Sequence, residues 1–192
     1  MTRGDHLVDD HVTWDGSSRA VAMIRDLVTP HSSEGTLRIV VQQVTVREQG
    51  RESGIHEVID AITDVGGNLV SIPLTASVRG DEPTSARLDT AIERLRADIA
   101  ADLAVAVDSL EVVLDGDGAH QVRVAFAVEV SAGELTTRSA HPALHDGAHH
   151  IVHHAPALEE LRDRLAGPPP GPLRRALEAV RGWTRARVPR VR

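Results

Sequence analysis

Leu88, Ile92, Leu95, Ile99 and Leu103 return at intervals of three and four along residues 86–106, with Arg87, Glu93, Arg94, Arg96 and Asp102 mainly between them. That period lines one helical face with apolar side chains and predicts a long amphipathic helix. The same spacing predicts a helix from Ser17 or Ser18, as cap, to Val28, with Val21, Ile24, Leu27 and Val28 on one face. Ile55, Val58, Ile59 and Ile62 also follow it after the GRESG loop, and predict a third helix that closes at Gly66–Gly67.

Period-two segments alternate with these helices. Leu37, Ile39 and Val41 share one parity, but Val44 and Val46 have the other, so a strand over 37–47 calls for a bulge or bend at Gln42–Gln43. Val70, Ile72, Leu74, Ala76 and Val78 alternate with polar residues, and Pro73, which has no ladder donor, marks an edge strand. Leu110, Val112 and Leu114 lead through the DGDG turn at 115–118 to Val122, Val124, Phe126, Val128 and Val130, a hairpin.

Clean alternation means a sheet buried on one side, so the expected fold is an α+β two-layer sandwich of order α-β-α-β-α-β-β with a C-terminal helical extension. Residues 1–16 read as a mobile N-terminus and 17–132 as the α+β domain. Residues 133–167 form a His-rich segment and helix, and 168–192 a Pro-rich spacer and Arg-rich C-terminal helix. In the third part Leu158, Leu161 and Leu165 fall in helical register over 157–166. The stretch from Leu88 to Val130, the AIERLRADIA helix and its hairpin, resembles small α+β accessory domains found beside bacterial proteases and conflict systems. Its strand–helix–strand part is similar to the alkaline-shock envelope proteins. The resemblance covers no functional residue and implies no activity.

Composition removes several chemistries. There is no cysteine, lysine or tyrosine, so thiol nucleophiles, Schiff bases, phosphate-loop lysines and phenolic acids or bases are all excluded. All 21 basic residues are arginine, a usage that GC-rich coding also produces. Aromatic residues are 2% of the chain, too few for stacking platforms on single-stranded nucleic acid. No GxSxG, GxGxxG or GxxxxGK[ST] motif occurs. His56-Glu57 begins an HExxH-like run, but Asp60 stands where the second zinc ligand belongs. Asp115 and Asp117 lack the later ligands of a calcium loop, and a hairpin turn explains them. The absence of an apolar signal region and of long apolar runs points to a cytoplasmic protein without a transmembrane segment.

Two features carry candidate chemistry. Six of the eleven histidines fall within 141–154: His141, His145, His149, His150, His153 and His154. On a short helix over 148–154 the pairs His149/His153 and His150/His154 are one turn apart. With His145, Asp146 or Glu159 they could chelate zinc, nickel or copper, zinc being the expected cofactor of such a site, or make a surface that responds to pH. The second feature is charge. Net charge is −7, yet residues 168–192 hold seven arginines and one glutamate, a surplus of +6 that leaves −13 on the rest. Arg174, Arg175, Arg181, Trp183, Arg185 and Arg187 surround an apolar stripe of Leu173, Leu177 and Val180, a surface suited to a protein partner or a second copy. Nucleic-acid phosphate and anionic lipid are further partners for such a tail. The expected function is a non-enzymatic interaction or assembly module working through that helix. The alternative is a metal-binding protein or metal-dependent enzyme using the histidines.

Overall fold

In the computed structural model, residues 11–126, 128, 130–136 and 144–167 are described. Six strands form one antiparallel sheet: β1 (Val12–Thr13), β2 (Thr36–Glu48), β3 (Arg51–Val65), β4 (Asn68–Pro73), β5 (Ser109–Asp115) and β6 (His120–Ala125). Their spatial order is β1-β6-β5-β2-β3-β4, so β2 and β5 are central. The helices are α1 (Arg19–Val28), α2 (Thr75–Gly80), α3 (Glu82–Leu103), α4 (Ala132–Thr136), α5 (Gly147–His153) and α6 (Ala155–Ala166). The protein is thus a mixed α+β fold. No helix among the described residues is long and apolar enough to cross a membrane.

Helix α1 follows the expected pattern: Ser18 caps it by accepting from Ala20 N–H, and Ala20, Val21, Ile24, Leu27 and Val28 are buried. These pack with Leu88, Ala91, Ile92, Leu95 and Ile99 of α3 on one face of the sheet, against Ile39 and Val41 of β2 and Leu110, Val112 and Leu114 of β5. Trp14, just past β1, joins that core and donates its Nε1–H to Asp102 of α3 at 3.1 Å. The hairpin β5–β6 forms around the DGDG turn, with Leu110 opposite Val124 and Val112 opposite Val122. β6 ends at Ala125, however, and Val128 and Val130, expected on the same face, pack with Val44 on the other. Its DGDG turn is held by Arg25, whose guanidinium donates to the carbonyls of Asp115, Gly118 and Ala119.

Residues 51–65 are a strand, not the helix that apolar spacing predicts for Ile55–Ile62. Over residues 59–63 the strand is buried on both faces, whereas 51–55 are exposed. Ile59 and Ala61 meet α1 and α3, whereas Ile62 meets Leu158 of α6 with Val40. A doubly buried strand shows a near-continuous apolar run, which a three-four count reads as a helix. The turn before it is tighter than the GRESG loop expected over 50–54 and sits at Gln49 and Gly50, both with positive φ (52° and 75°). Such a turn matches the strand twist and favours glycine at its second position.

The same double burial explains the parity switch in β2. Pairing of β2 with β3 runs unbroken through Gln42 and Gln43, and the shifts lie instead at Thr36/Arg38 and Val46/Arg47. No bulge is needed at Gln42–Gln43, because Val40 and Val44 face a second packed layer. The two-layer expectation therefore describes only the α1/α3 side. β4 is an edge strand, as Pro73 indicated, but it stops there. Leu74 and Val78, read as one strand face, are four apart across α2 and both buried.

Candidate functional site

Glu111 projects from central strand β5 on the second face of the sheet, and its side chain is fully buried. Parity puts it there: Leu110 and Val112 face the helices α1 and α3, so Glu111 faces the other way. Three groups converge on its carboxylate. Arg123 of β6, directly across the ladder, donates Nη1–H to Oε1 at 3.2 Å. His145 Nδ1 lies 2.5 Å from Oε2, and His150 Nε2 approaches the same oxygen at 3.3 Å. A carboxylate oxygen only accepts, so the short contact puts a proton on His145 Nδ1. Arg123 Nη1, 3.4 Å from Nδ1, is therefore a neighbour and not its donor.

The His-rich segment is held on the sheet by backbone donors as well. His145 N–H donates to Gln42 Oε1 at 2.7 Å, and Gly147 N–H to Asp60 Oδ2 at 2.8 Å. Asp146 caps α5 by accepting from His149 N–H. Burial pushes the Asp60 carboxyl up, and the hydrogen bond from Gly147 works against it. Burial also pushes Glu111 up, but the facing imidazoles of His145 and His150 outweigh it and hold the carboxyl down at about 2. The result is a permanent buried anion, neutralised from two sides.

A Cβ at Gly147 would lie 2.4 Å from Ser71 Oγ and 2.9 Å from Asp60 Cβ. Gly147→Ala should therefore push the start of α5 off the sheet and cost about 1–3 kcal/mol in urea unfolding. Unchanged stability would mean that α5 can move without consequence.

All five described candidate histidines meet in one place, which segment boundaries drawn from sequence did not anticipate. His145 and His150 are each 1% exposed. The imidazoles form a stack: His145 on His149 (centroids 4.3 Å, 9°), His149 on His153 (4.2 Å) and His150 on His154 (4.8 Å). His11 of the N-terminal stretch adds a ring 4.1 Å from His145. The i,i+4 pairing read from sequence is correct, but stacking turns ring faces together. Ring-nitrogen lone pairs lie in the ring planes, so near-parallel rings do not aim them at a common point. Among the described residues no three or more histidines, aspartates or glutamates are grouped to hold a metal ion. His141 lies outside the described residues, as do Arg174, Arg175, Arg181, Trp183, Arg185 and Arg187.

Beside the cluster lies a groove of about 610 Å³ between α5 and the β2–β3 ladder. Val58, Leu135, Leu144 and Val152 give it apolar walls, and His56, His149 and His153 line it with imidazole. His56 belongs to β3 and not to a helix start. Burial depresses its pKa, against the opposing charge of Glu57. The groove adjoins an open sheet edge. β4 pairs with β3 only over Asp60–Val65, so from Arg51 to Val58 no strand lies on that side of β3 among the described residues. Ile59 marks which residues face the gap: its N–H donates to Thr75 Oγ1 and its C=O accepts from Leu74 N–H. With two-residue alternation and no register shift down to Gly54, the main-chain groups of Ile55 and Glu57 face the same way. Sequence reasoning missed this edge because it read the segment as a helix.

Compared with protein-family models and with curated proteins, the chain matches none.

Proposed function

We propose that this protein is a non-catalytic binding module that receives an extended segment of a partner protein along the open edge of β3. The observation that carries the reading is the length mismatch between β3, fifteen residues, and β4, six. It leaves the main-chain donors and acceptors of Ile55 and Glu57 facing outward next to an apolar groove. An added strand satisfies such a row through its backbone and places alternate side chains in the groove.

The chemistry of the occupant follows. Side chains on the groove side meet Val58 and Val152, with His149 uncharged at neutral pH, and are apolar. Side chains on the opposite face meet the Glu57–Arg79 ion pair and are polar. The buried carboxylate supports the non-catalytic part: Glu111 is sealed and already bonded to Arg123 and His145, so a substrate has no approach to it. The arginine-rich tail expected from sequence to bind lies outside the described residues, and the same experiment distinguishes it.

Random peptides of about twelve residues, selected by display on the full chain, should alternate apolar and polar positions. Ile55→Pro removes one outward N–H without touching the β2 ladder, and should weaken the selected peptides at least tenfold (about 1.4 kcal/mol). A chain ending at Gly167 should bind them unchanged. Equal binding to Ile55→Pro, or loss of binding on removing 168–192, would move the site from the edge to the tail.

A further inference from the structure

We propose that the imidazole stack is an acid-triggered latch: protonation of His149 and His154 releases α5 and α6 from the sheet and dismantles the groove beside β3. The effect on partner binding rests on the preceding reading, whereas the opening itself does not.

The geometry is that of a device that tolerates neutral imidazole and not imidazolium. His149 is sandwiched between His145 and His153 at ring distances of 4.3 and 4.2 Å, with His150 edge-on at 5.8 Å. His154 stacks on His150 and faces Arg38 of β2 and Arg123 of β6. The charged or titratable groups around the two rings come from every neighbouring element. They are Arg38 (β2), His56 and Asp60 (β3), Glu111 (β5), Arg123 (β6) and His145 with Asp146 before α5. Three of these are carboxylates, but each is engaged: Glu111 with Arg123 and His145, Asp60 with Gly147, and Asp146 with the α5 N-terminus. A proton on His149 or His154 therefore meets burial, neighbouring imidazoles and, at His154, two arginines, which outweigh the attraction of Glu111.

Burial first, then the surrounding imidazoles, holds His149 down at about 3; burial, His150 and the two arginines hold His154 at about 4. Free histidine titrates near 6.5. Released rings accordingly bind protons that packed rings refuse, and the packed state loses ground as pH falls from about 6.5 toward about 4. Above about 6.5 both forms are neutral and the latch is closed. The attachment is also not fully satisfied when closed. His150 Nδ1 and His154 Nε2 are buried without a hydrogen-bond partner among the described residues, a cost relieved on opening. The segment is anchored by a small apolar patch, Leu158 and Ile151 on Val40, Ile62 and Leu69, separate from the large core under α1 and α3. Selective opening of α5 and α6 thus leaves that core standing.

Native-state hydrogen exchange on the full chain tests this without any ligand. After correction for intrinsic exchange, the amides of His150, His154 and Leu158, which close α5 and its junction with α6, are compared with those of α3. Between about pH 7 and pH 5 their opening constant should rise by up to about tenfold per pH unit for each histidine that takes up a proton, while α3 stays flat. His149→Gln and His154→Gln should each remove one proton's share of that slope, and the pair together should abolish it. The latch is overturned if α5 opens no more at pH 5 than at pH 7, or if it loses protection only together with α3. An undiminished slope in both variants overturns it equally. A latch that passes while Ile55→Pro leaves peptide binding intact would stand alone, with only the binding site at fault.

Discussion

Glu111→Ala is expected to destabilise the protein by about 3–5 kcal/mol, read as a fall in the urea midpoint at neutral pH. The cost is not the lost attraction itself. Truncation removes the buried carboxylate that Arg123, with a side chain 8% exposed, and His145 both bond, and leaves a cavity in its place. Two controls isolate that cause. Glu111→Leu combined with Arg123→Leu removes both charges and should recover most of the loss, since buried pairs exchanged for apolar residues are often close to neutral. Acid should reproduce the effect in the native protein. While α5 stays packed the carboxyl is depressed, so its stabilisation is complete above about pH 4.5 and is lost as pH falls toward about 2; release of α5 is a separate loss that begins at higher pH. A loss below about 1 kcal/mol for Glu111→Ala would mean that water reaches the cluster and screens it.

Leu158→Ala should cost about 2–5 kcal/mol, the range for a fully buried leucine whose surroundings cannot close the cavity. Leu158 is 0% exposed and joins α6 to Val40 and Ile62 on the second face of the sheet. Leu165, two turns further on and in the same sequence register, is 39% exposed, and Leu165→Ala should cost less than about 1 kcal/mol. The contrast decides whether 144–167 belongs to the body of the protein. A small, equal effect at both positions in urea unfolding would make α6 a detachable extension.

Much of the architecture was legible where one face of an element meets water. α1 and α3 bury one stripe each, so their period sufficed; β5, although covered on both faces, was legible from its DGDG turn. α3 starts four residues before the expected Ala86, because Pro83 sits in a first turn where its missing N–H costs nothing. Legibility failed in β3, which is covered on both sides over 59–63. Ile59 and Ile62 serve opposite layers of one strand, and their three-residue spacing imitates a helix. The histidine pairs on α5 were visible as i,i+4 neighbours. Their counter-ion was not, because Glu111 is thirty-four residues away from His145 along the chain. A lone glutamate in an apolar strand signals a buried partner only once the opposite face is known to be covered.

Sequence alone, then, determined α1, α3 and the β5–β6 turn, the absence of thiol, amine and phenol chemistry, and the charge split between body and tail. These depend on residue type and on contacts a few positions apart. The tertiary structure decided that the histidines cover a buried carboxylate and that β3 outruns β4 to leave an edge open. Both follow from which strands are neighbours and which face each helix closes, and such long-range pairings leave no periodic trace in any single segment.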